Sequence, residues 1–429
     1  MAQQVHTLSL GPLTAHAFNA DRSQVAVCPN SNEVLIYIKD ASGSWSLQHT
    51  LSEHDKLVTG IDWAPKTNRI VTCSQDRNAY VWTPIVNTAT GSEEWKPTLV
   101  LLRINRAATF ARWSPNEDKF AVASGARIVA ICSFEEDNDW WVAKHIKKPL
   151  RSTVLSLDWH PNNVLIACGS ADMKARVFSA FIKGVDAKPP PSVWGERLPF
   201  GTVCAEFRTP AGGWVHGTAF SPSGDAVAFV GHDSSLTVAY PSGPDSPPHA
   251  IHVIRSAALP HVTLTFISEN ALVAAGHGCQ PILFEGDAAS GWKASKTLDA
   301  AGAAAGKGAP PPPPPKAPGL ATVSSVGRLN NEAFNRFKAA DAKGASAPPT
   351  SGATAGGSAG AFGAVAGASL SADGELHTTH QNTITSIRPY QGAAGAVSAI
   401  STSGVDGRLC VFNVNAGASL AKAMGSLRV

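Results

Sequence analysis

The sequence has no long apolar run, little net charge and no paired cysteines. No stretch approaches the roughly 18 apolar residues that a membrane-spanning helix needs, and the opening residues lack the basic and apolar regions of a secretory signal. A formal charge of +3 over 429 residues is too small for a dedicated nucleic-acid-binding face. The seven cysteines are scattered and include no C-x-x-C pair. These absences predict a soluble cytoplasmic protein in a reducing compartment, without nucleic acid or membrane insertion.

Motifs for metals and cofactors are also missing. None of the 14 histidines falls in an H-E-x-x-H motif or in paired Cys/His spacing. No phosphate-binding loop or dinucleotide-binding glycine motif occurs, because the glycines lie in turn-like or low-complexity sequence. We therefore expect no metal and no cofactor.

What the sequence has in abundance is turn residues and apolar residues. Its 38 glycines and 30 prolines indicate many turns, and an apolar fraction of 44% is enough to bury a large core. This composition favours a turn-rich all-β protein.

The turns and apolar runs belong to an internal repeat. Each copy has an aromatic residue near a turn, a β-rich run, a second turn and another β-rich run. In five copies two marker positions lie 19 residues apart: Phe18 and Tyr37, Trp63 and Trp82, Trp113 and Cys132, Trp159 and Phe178, Phe220 and Ala239. Successive copies begin 45, 50, 46, 61 and 46 residues apart, close to the ~40 to 45 of a four-stranded propeller blade.

Two further copies complete the series. A sixth runs from Phe266 to Phe284, and a seventh from Ile384 to Phe412. Seven copies predict one seven-bladed WD-repeat β-propeller over residues 1–429, because a lone blade cannot bury both of its faces. A strand at residues 5–10 is expected to close the ring by adding the outer strand of the last blade.

The second copy contains a serine, a histidine and an aspartate, the residue types of an acyl-transfer triad. However, Asp76 recurs at the same turn of other copies as Asp172, Asp233 and Asp406. The set also resembles the buried hydrogen-bond network of WD repeats, which carries over to His54, Ser74, Asp76 and Trp82. The structural interpretation is favoured over catalysis, because the aspartate follows the repeat rather than a single site.

One segment combines aromatic and basic side chains. Its residues are Trp140, Trp141, Lys144, Lys147, Lys148 and Arg151. The segment is either an ordinary solvated surface or a partner interface. The second is considered because Trp and Arg often anchor interfaces. Binding of single-stranded nucleic acid ranks below both, because the patch is local.

The repeat is interrupted between residues 288 and 380 by Ala, Gly, Ser and Pro. This composition predicts a largely disordered insertion. Within it, residues 328–342 have an apolar stripe that predicts a short amphipathic helix, with Phe334 and Phe337 as candidate anchors. Its own propeller and another protein are both possible docking surfaces, and the flexible flanks favour the second. The run Pro310 to Pro315 is a polyproline spacer or a ligand for an aromatic groove.

Specific stretches within the propeller resemble one WD-repeat family. They are Leu102-Arg-Ile-Asn-Arg-Ala-Ala108, Asn138-Asp-Trp-Trp-Val-Ala-Lys-His-Ile-Lys-Lys-Pro149 and Ser152-Thr-Val-Leu-Ser-Leu-Asp-Trp-His-Pro-Asn-Asn163. The family is the propeller subunit of the actin-related protein 2/3 complex, and the likeness covers nearly all of the propeller. The propeller fold does not require these particular sequences, so they indicate the family rather than the fold.

The resemblance implies a function. The family's insertion helix touches actin of the pre-existing filament, which implies that role for Phe337 and less firmly for Arg336, Lys338 and Asp341, with Phe334 beside them. It also implies a non-enzymatic scaffold that supports branched actin nucleation, with sibling subunits, an actin-related protein, the actin filament and nucleation-promoting factors as partners. A propeller adaptor that binds peptides and a propeller hydrolase remain as alternatives from other classes.

Overall fold

The computed structural model describes residues 3–8, 11–88, 91–243, 246–299 and 376–415. These residues form seven four-stranded antiparallel sheets. In chain order, the first strands are β1 (Gln4–Thr7), β2 (Ala15–Phe18), β3 (Gln24–Cys28), β4 (Val34–Lys39), β5 (Trp45–Leu51), β6 (Val58–Trp63), β7 (Ile70–Ser74), β8 (Ala79–Val86), β9 (Glu93–Val100), β10 (Ala108–Trp113), β11 (Lys119–Ser124), β12 (Ile128–Glu135) and β13 (Trp140–Ile146). The rest are β14 (Val154–Trp159), β15 (Leu165–Ser170), β16 (Lys174–Ser179), β17 (Val203–Arg208), β18 (Val215–Phe220), β19 (Val227–Gly231), β20 (Ser235–Tyr240), β21 (Ala250–Arg255), β22 (His261–Ser268), β23 (Ala271–Gly276), β24 (Ile282–Asp287), β25 (Gly291–Thr297), β26 (Ile384–Ala393), β27 (Ala396–Gly404) and β28 (Arg408–Asn413).

The seven sheets are the blades of one closed ring, which confirms the predicted seven-bladed propeller. Blades 1 to 6 each take four consecutive strands, from β2–β5 to β22–β25. The first strand of every blade packs against the first strand of the next, and β26 of blade 7 packs back on β2 of blade 1. One 3-10 turn, Glu136–Asn138, joins β12 and β13.

Blade 7 is completed from the other end of the sequence. Its order is β26, β27, β28 and β1, and β1 pairs antiparallel with β28, with Val5 opposite Cys410 and Thr7 opposite Arg408. The strand expected over residues 5–10 covers residues 4–7, and residues 9 and 10 lie outside the described residues. The pairing covers an edge that β28 would otherwise expose.

The 19-residue spacing has a direct origin in strand register. In blade 2, Trp63 at the end of the first strand lies opposite Ile70, which lies opposite Trp82 on the third strand. The two markers of a copy therefore stand at one level of the sheet, two strands apart. Any copy with the same turn lengths must keep the same spacing.

The alignment of the seventh copy was wrong by several residues. Pro389, not Ile384, lies level with Ile400 and Phe412, whereas Ile384 lies opposite Gly404 at the other end of the strand. The reason is that β26 is ten residues long and has register shifts next to Pro389 and Gln391. The hairpin between β26 and β27 is therefore longer than in the other blades: residues 390–399 separate Pro389 from Ile400, whereas residues 64–69 separate Trp63 from Ile70.

The hydrophobic core lies between neighbouring blades. Val71 and Val81 of blade 2, for example, share a buried cluster with Ala111 and Trp113 of blade 3. Burying a side chain of this size stabilises the fold by about 1.5–3 kcal/mol. All seven cysteines are buried free thiols, and burial raises the pKa of Cys73 to about 12.

The insertion is shorter than the sequence predicted at both of its ends. Residues 291–297 form β25, with Trp292 in the core of blades 5 and 6, and His380 is fully buried at the entry to blade 7. The two ends are joined, because the Thr379 amide and hydroxyl donate to the Asp299 carboxylate at 2.6 and 2.8 Å. Low-complexity composition concealed these two short segments of the propeller.

Candidate functional site

The set predicted as a structural network lies between the first three strands of blade 2. The Trp82 indole N–H donates to the Thr72 hydroxyl at 3.0 Å, and that oxygen lies 2.8 Å from His54 Nε2. The other ring nitrogen, Nδ1, lies 2.6 Å from the Asp76 carboxylate. The hydroxyl that connects the indole to the imidazole belongs to Thr72, which sequence reasoning missed. Ser74 lies beside the network and donates to the Lys56 carbonyl at 2.8 Å.

This geometry favours a neutral imidazole. Burial lowers the pKa of His54, and the hydrogen bond and charge of Asp76 offset part of that effect. With a proton on Nδ1 for Asp76, Nε2 accepts from Thr72, so one donor chain runs from Trp82 to Asp76. Ser74 does not reach His54, so the groups of a triad are present without the contact between nucleophile and base.

The network follows the repeat. In blade 7, His380 lies 3.1 Å from Asp406 and 2.7 Å from the Thr402 hydroxyl. The aspartates at this turn also share a second contact, because each accepts the backbone amide of a residue in the loop before its blade. The donor and acceptor pairs are Asp55 and Asp76, Arg151 and Asp172, Ala211 and Asp233, and Gln381 and Asp406.

The aromatic and basic segment does not form one surface. Trp140 is 58% exposed, whereas Trp141 is 8% exposed and its ring contacts Trp113, Phe120 and Phe134 in the core. A strand points successive side chains to opposite faces, so two adjacent tryptophans on β13 cannot both face a partner.

The cations of the segment lie on β13 and beyond it. Lys144 is exposed on this outer strand, and Lys147, Lys148 and Arg151 are exposed in the loop that leads to blade 4. Trp140 begins β13 and so stands at the opposite end of the strand from this loop, about 20 Å away at ~3.3 Å per residue. The exposed cations and the exposed tryptophan are thus separate features of one blade edge.

The predicted filament-contacting residues lie outside the described residues. They are Phe334, Arg336, Phe337, Lys338 and Asp341. The same holds for the predicted helix at 328–342 and for Pro310 to Pro315.

A charged cluster that sequence reasoning did not find joins the first strands of four blades, which are the inner strands of the ring. Arg388 of blade 7 donates to the Asp62 carboxylate of blade 2 at 2.6 Å, and Arg112 of blade 3 lies 3.8 Å from Asp62 and 3.9 Å from Asp158 of blade 4. Blade 1 lies between blades 7 and 2 in the ring. The ion pair between Arg388 and Asp62 therefore crosses the inner side of blade 1. Burial raises the pKa of Asp158, and the charge of Arg112 opposes that shift. The cluster ties the inner strands together.

Metal sites and membrane-spanning helices are both absent from the part of the chain that the structure describes. Their histidines, cysteines and carboxylates include no group of three that is arranged to hold a metal ion. No described helix has the length and apolar character needed to cross a membrane.

Comparison with known proteins agrees with the repeat architecture. The chain matches the WD domain, G-beta repeat family over residues 45–83 and 144–179. Each match starts on the outer strand of one blade, β5 or β13, and continues through three strands of the next. The sequence repeat is therefore offset from the blade by one strand.

Similar proteins align over nearly the whole chain. Actin-related protein 2/3 complex subunit 1 of Schizosaccharomyces pombe is 48% identical over 96% of this chain and 99% of its own length. Subunit 1A-B of Xenopus laevis is 43% identical over 95% of this chain and 96% of its own. Subunit 1 of Saccharomyces cerevisiae is 36% identical over 96% of this chain and 97% of its own. With this identity over nearly the full length of each chain, the chain belongs to the actin-related protein 2/3 complex subunit 1 family.

Proposed function

We propose that the chain is a non-enzymatic scaffold subunit of an actin-related protein 2/3 complex that supports nucleation of branched actin filaments. The observation that carries this proposal is the alignment, at 36 to 48% identity and over more than nine tenths of both chains, with proteins named as subunit 1 of that complex. The hydrogen bonds of His54 and Asp76 also support the scaffold role. These side chains bond to a strand and to a loop within the propeller, so they serve the fold. The expected location is the actin cytoskeleton of the cytoplasm, including cortical actin structures.

The expected partners are sibling subunits, one of them an actin-related protein, together with nucleation-promoting factors. The exposed edge of blade 3 supplies a candidate interface, with Trp140 at one end and Lys147, Lys148 and Arg151 at the other. Exposed Trp and Arg side chains are the types that most often anchor a protein interface.

The insertion is proposed to contact the pre-existing actin filament through its helix at 328–342. Phe337 is the first candidate contact, with Phe334, Arg336, Lys338 and Asp341 around it. The hydrogen bonds between Asp299 and Thr379 support this role, because they fix both ends of the insertion on the propeller. A filament contact made by the insertion would therefore be anchored to the propeller.

The test compares wild type with Phe334→Ala plus Phe337→Ala in a tagged chain purified from its native lysate. We expect both versions to bring down two actin-related proteins and small sibling subunits, and only wild type to support filament branching in a pyrene-actin assay with light microscopy. Phe362→Ala is the matched control, because it removes a phenylalanine of the same insertion outside the predicted helix.

The two halves of the proposal fail separately. If wild type brings down no actin-related protein, complex membership is wrong and a peptide-binding adaptor becomes the better hypothesis. If the complex assembles and the double variant branches filaments normally, the helix contact is wrong while the scaffold role stands.

A further inference from the structure

Blade 3 departs from the repeat at one turn. In blade 2, Val58 lies opposite Ser74, and Asp76 follows two residues later. In blade 3, Ala108 lies opposite Ser124 in the same way, and the residue two positions later is Ala126. The side chain that recurs as an aspartate in four other blades is therefore a methyl group here.

The missing aspartate leaves a backbone donor without its usual acceptor. In blades 2, 4 and 7 the amide that donates to this aspartate belongs to the third residue before the blade's first strand: Asp55, Arg151 and Gln381. The equivalent residue of blade 3 is Asn105, and no residue in the described ranges accepts from its amide. An anion at this point would take the place of the repeat carboxylate.

A cavity lies at the same point. Its volume is about 360 Å³, and its lining includes Asn105, Arg106, Ala126, Arg127, Arg151 and Ser152. The three arginines are exposed, and none forms an ion pair with a carboxylate of the described residues. The neighbouring Asp172 is engaged, because its carboxylate accepts from Arg176 at 2.9 Å.

Blades 1 and 6 also lack the aspartate at this turn. Asn30 stands in the corresponding region of blade 1 and Gly278 at the corresponding turn of blade 6. Neither turn lines this cavity. At blade 3 the missing carboxylate, the cavity and three arginines coincide.

We propose that this cavity binds the phosphate group of a phosphorylated serine or threonine on a protein partner. A phosphate monoester carries close to two negative charges and three acceptor oxygens, which match three arginine forks and the Asn105 amide. A single carboxylate would leave most of these donors unused. A lipid surface presents many headgroups on a plane, whereas these arginines surround one recess.

The inference concerns the propeller alone and depends neither on the insertion nor on complex membership. The probe is a fluorescein-labelled Ala-Gly-phosphoserine-Gly-Ala peptide, and its binding is measured by fluorescence anisotropy. The sample is the tagged full chain with the subunits that co-purify with it. The same peptide with serine and with glutamate supplies the uncharged and carboxylate comparisons. We expect the phosphopeptide to bind at least tenfold tighter than either, and inorganic phosphate to displace it.

Two variants test the place of binding. Ala126→Asp restores the carboxylate of the repeat, so it is expected to accept from Asn105, to raise the thermal midpoint and to reduce phosphopeptide binding at least tenfold. Arg127→Gly removes one cation without strain, because Arg127 has a φ of 61° and Gly407 stands at the same turn position in blade 7 with a φ of 73°. It is expected to weaken binding about tenfold, the effect of one charge-assisted contact.

Arg77→Gly is the matched control. Arg77 holds the same turn position in blade 2, with a φ of 75°, beside a turn that keeps its aspartate. It should bind the phosphopeptide as wild type does. Equal binding of the glutamate and phosphoserine peptides, or full binding by Ala126→Asp, would overturn the proposal. So would arginine-dependent binding of vesicles that contain phosphatidylinositol bisphosphate without binding of the peptide.

Discussion

The imidazole of His16 links the first blade to the last. Its Nδ1 lies 2.9 Å from the Ser403 hydroxyl and its Nε2 lies 2.9 Å from the Ser401 hydroxyl, and the side chain is fully buried. Burial is the main reason that the pKa of His16 falls to about 3, and the nearby His380 and Arg22 lower it further. The folded protein therefore keeps this ring neutral at pH values where the unfolded chain binds a proton.

This difference predicts a pH-dependent stability. Below pH 6.5 the unfolded chain binds a proton at His16, whereas the folded chain binds it only near pH 3. The contribution of His16 to the free energy of unfolding is therefore complete above pH 6.5 and is lost as pH falls toward 3. The loss is about 1.4 kcal/mol per pH unit in that window. We expect the unfolding free energy of His16→Gln to fall less steeply than that of wild type between pH 6.5 and 4.5, measured by urea denaturation.

The comparison isolates one group. Asp158, whose raised pKa gives the opposite slope in the acid range, is present in both proteins, so its effect cancels. Parallel curves for wild type and His16→Gln would show that His16 does not stay neutral in the fold.

At the residue scale, sequence reasoning identified a network but not all of its members. Resemblance to the WD-repeat network selected His54, Asp76 and Trp82, and only the aspartate was also marked by its recurrence in other copies. Thr72 was missed because a threonine inside a β-rich run looks like an ordinary strand residue. Trp141 was taken for a surface residue, although alternation along β13 places it on the core side, opposite to Trp140.

Among the elements, β1 has the most distant partner in the sequence. It pairs with β28 and gives blade 7 its fourth strand. Deleting residues 1–8 would leave the edge of β28 unpaired and remove a ladder of four residue pairs. We expect the thermal midpoint to fall by several degrees, since the loss of 1 kcal/mol shifts a domain of this size by about 2 °C. Differential scanning calorimetry measures the change, and light scattering should report more aggregation.

A deletion at the other end is the control for this effect. Residues 416–429 contribute to none of the described strands, so their removal should leave the midpoint unchanged. If the two deletions behave alike, the β1 pairing does not stabilise the ring.

The strands were predictable where the turns kept their lengths. A constant distance of 19 residues between Trp63 and Trp82, and in four other copies, follows from one register. The longer hairpin between β26 and β27 broke this rule, so the first marker of blade 7 could not be found by spacing.

For the whole molecule, the insertion is an addition to a closed ring. Asp299 and Thr379 hold the two flanks together, so the 76 residues from 300 to 375 join points that are already in contact. Replacing these residues with a flexible linker of about six residues should leave the thermal midpoint equal to that of wild type or a few degrees higher. The physical reason is that a shorter connection between two joined points costs less closure entropy, by roughly 2 kcal/mol for this difference in length.

The same replacement also separates stability from activity. Under the proposed function it should retain sibling subunits in a pull-down and lose filament branching. A large fall in the midpoint would mean that residues 300–375 carry part of the core, contrary to the closed ring.

The seven-bladed architecture was accessible from sequence because it repeats, whereas the candidate anion site was not. Arg106 and Arg127 stand in separate loops and look like ordinary surface cations. The available signal was an exception, Ala126 in place of the aspartate that recurs as Asp76 and Asp172. An exception is visible only after the register of the repeat is known.

The seam between β1 and β28 imposes an order on biosynthesis. About 400 residues separate the two strands, so at roughly 5 to 20 residues per second the first strand waits about 20 to 80 s for its partner to be translated. During that time β1 is an unpaired strand on a growing chain, and the blades already made form an open arc. We expect this interval to be the period in which the nascent protein most needs protection by chaperones.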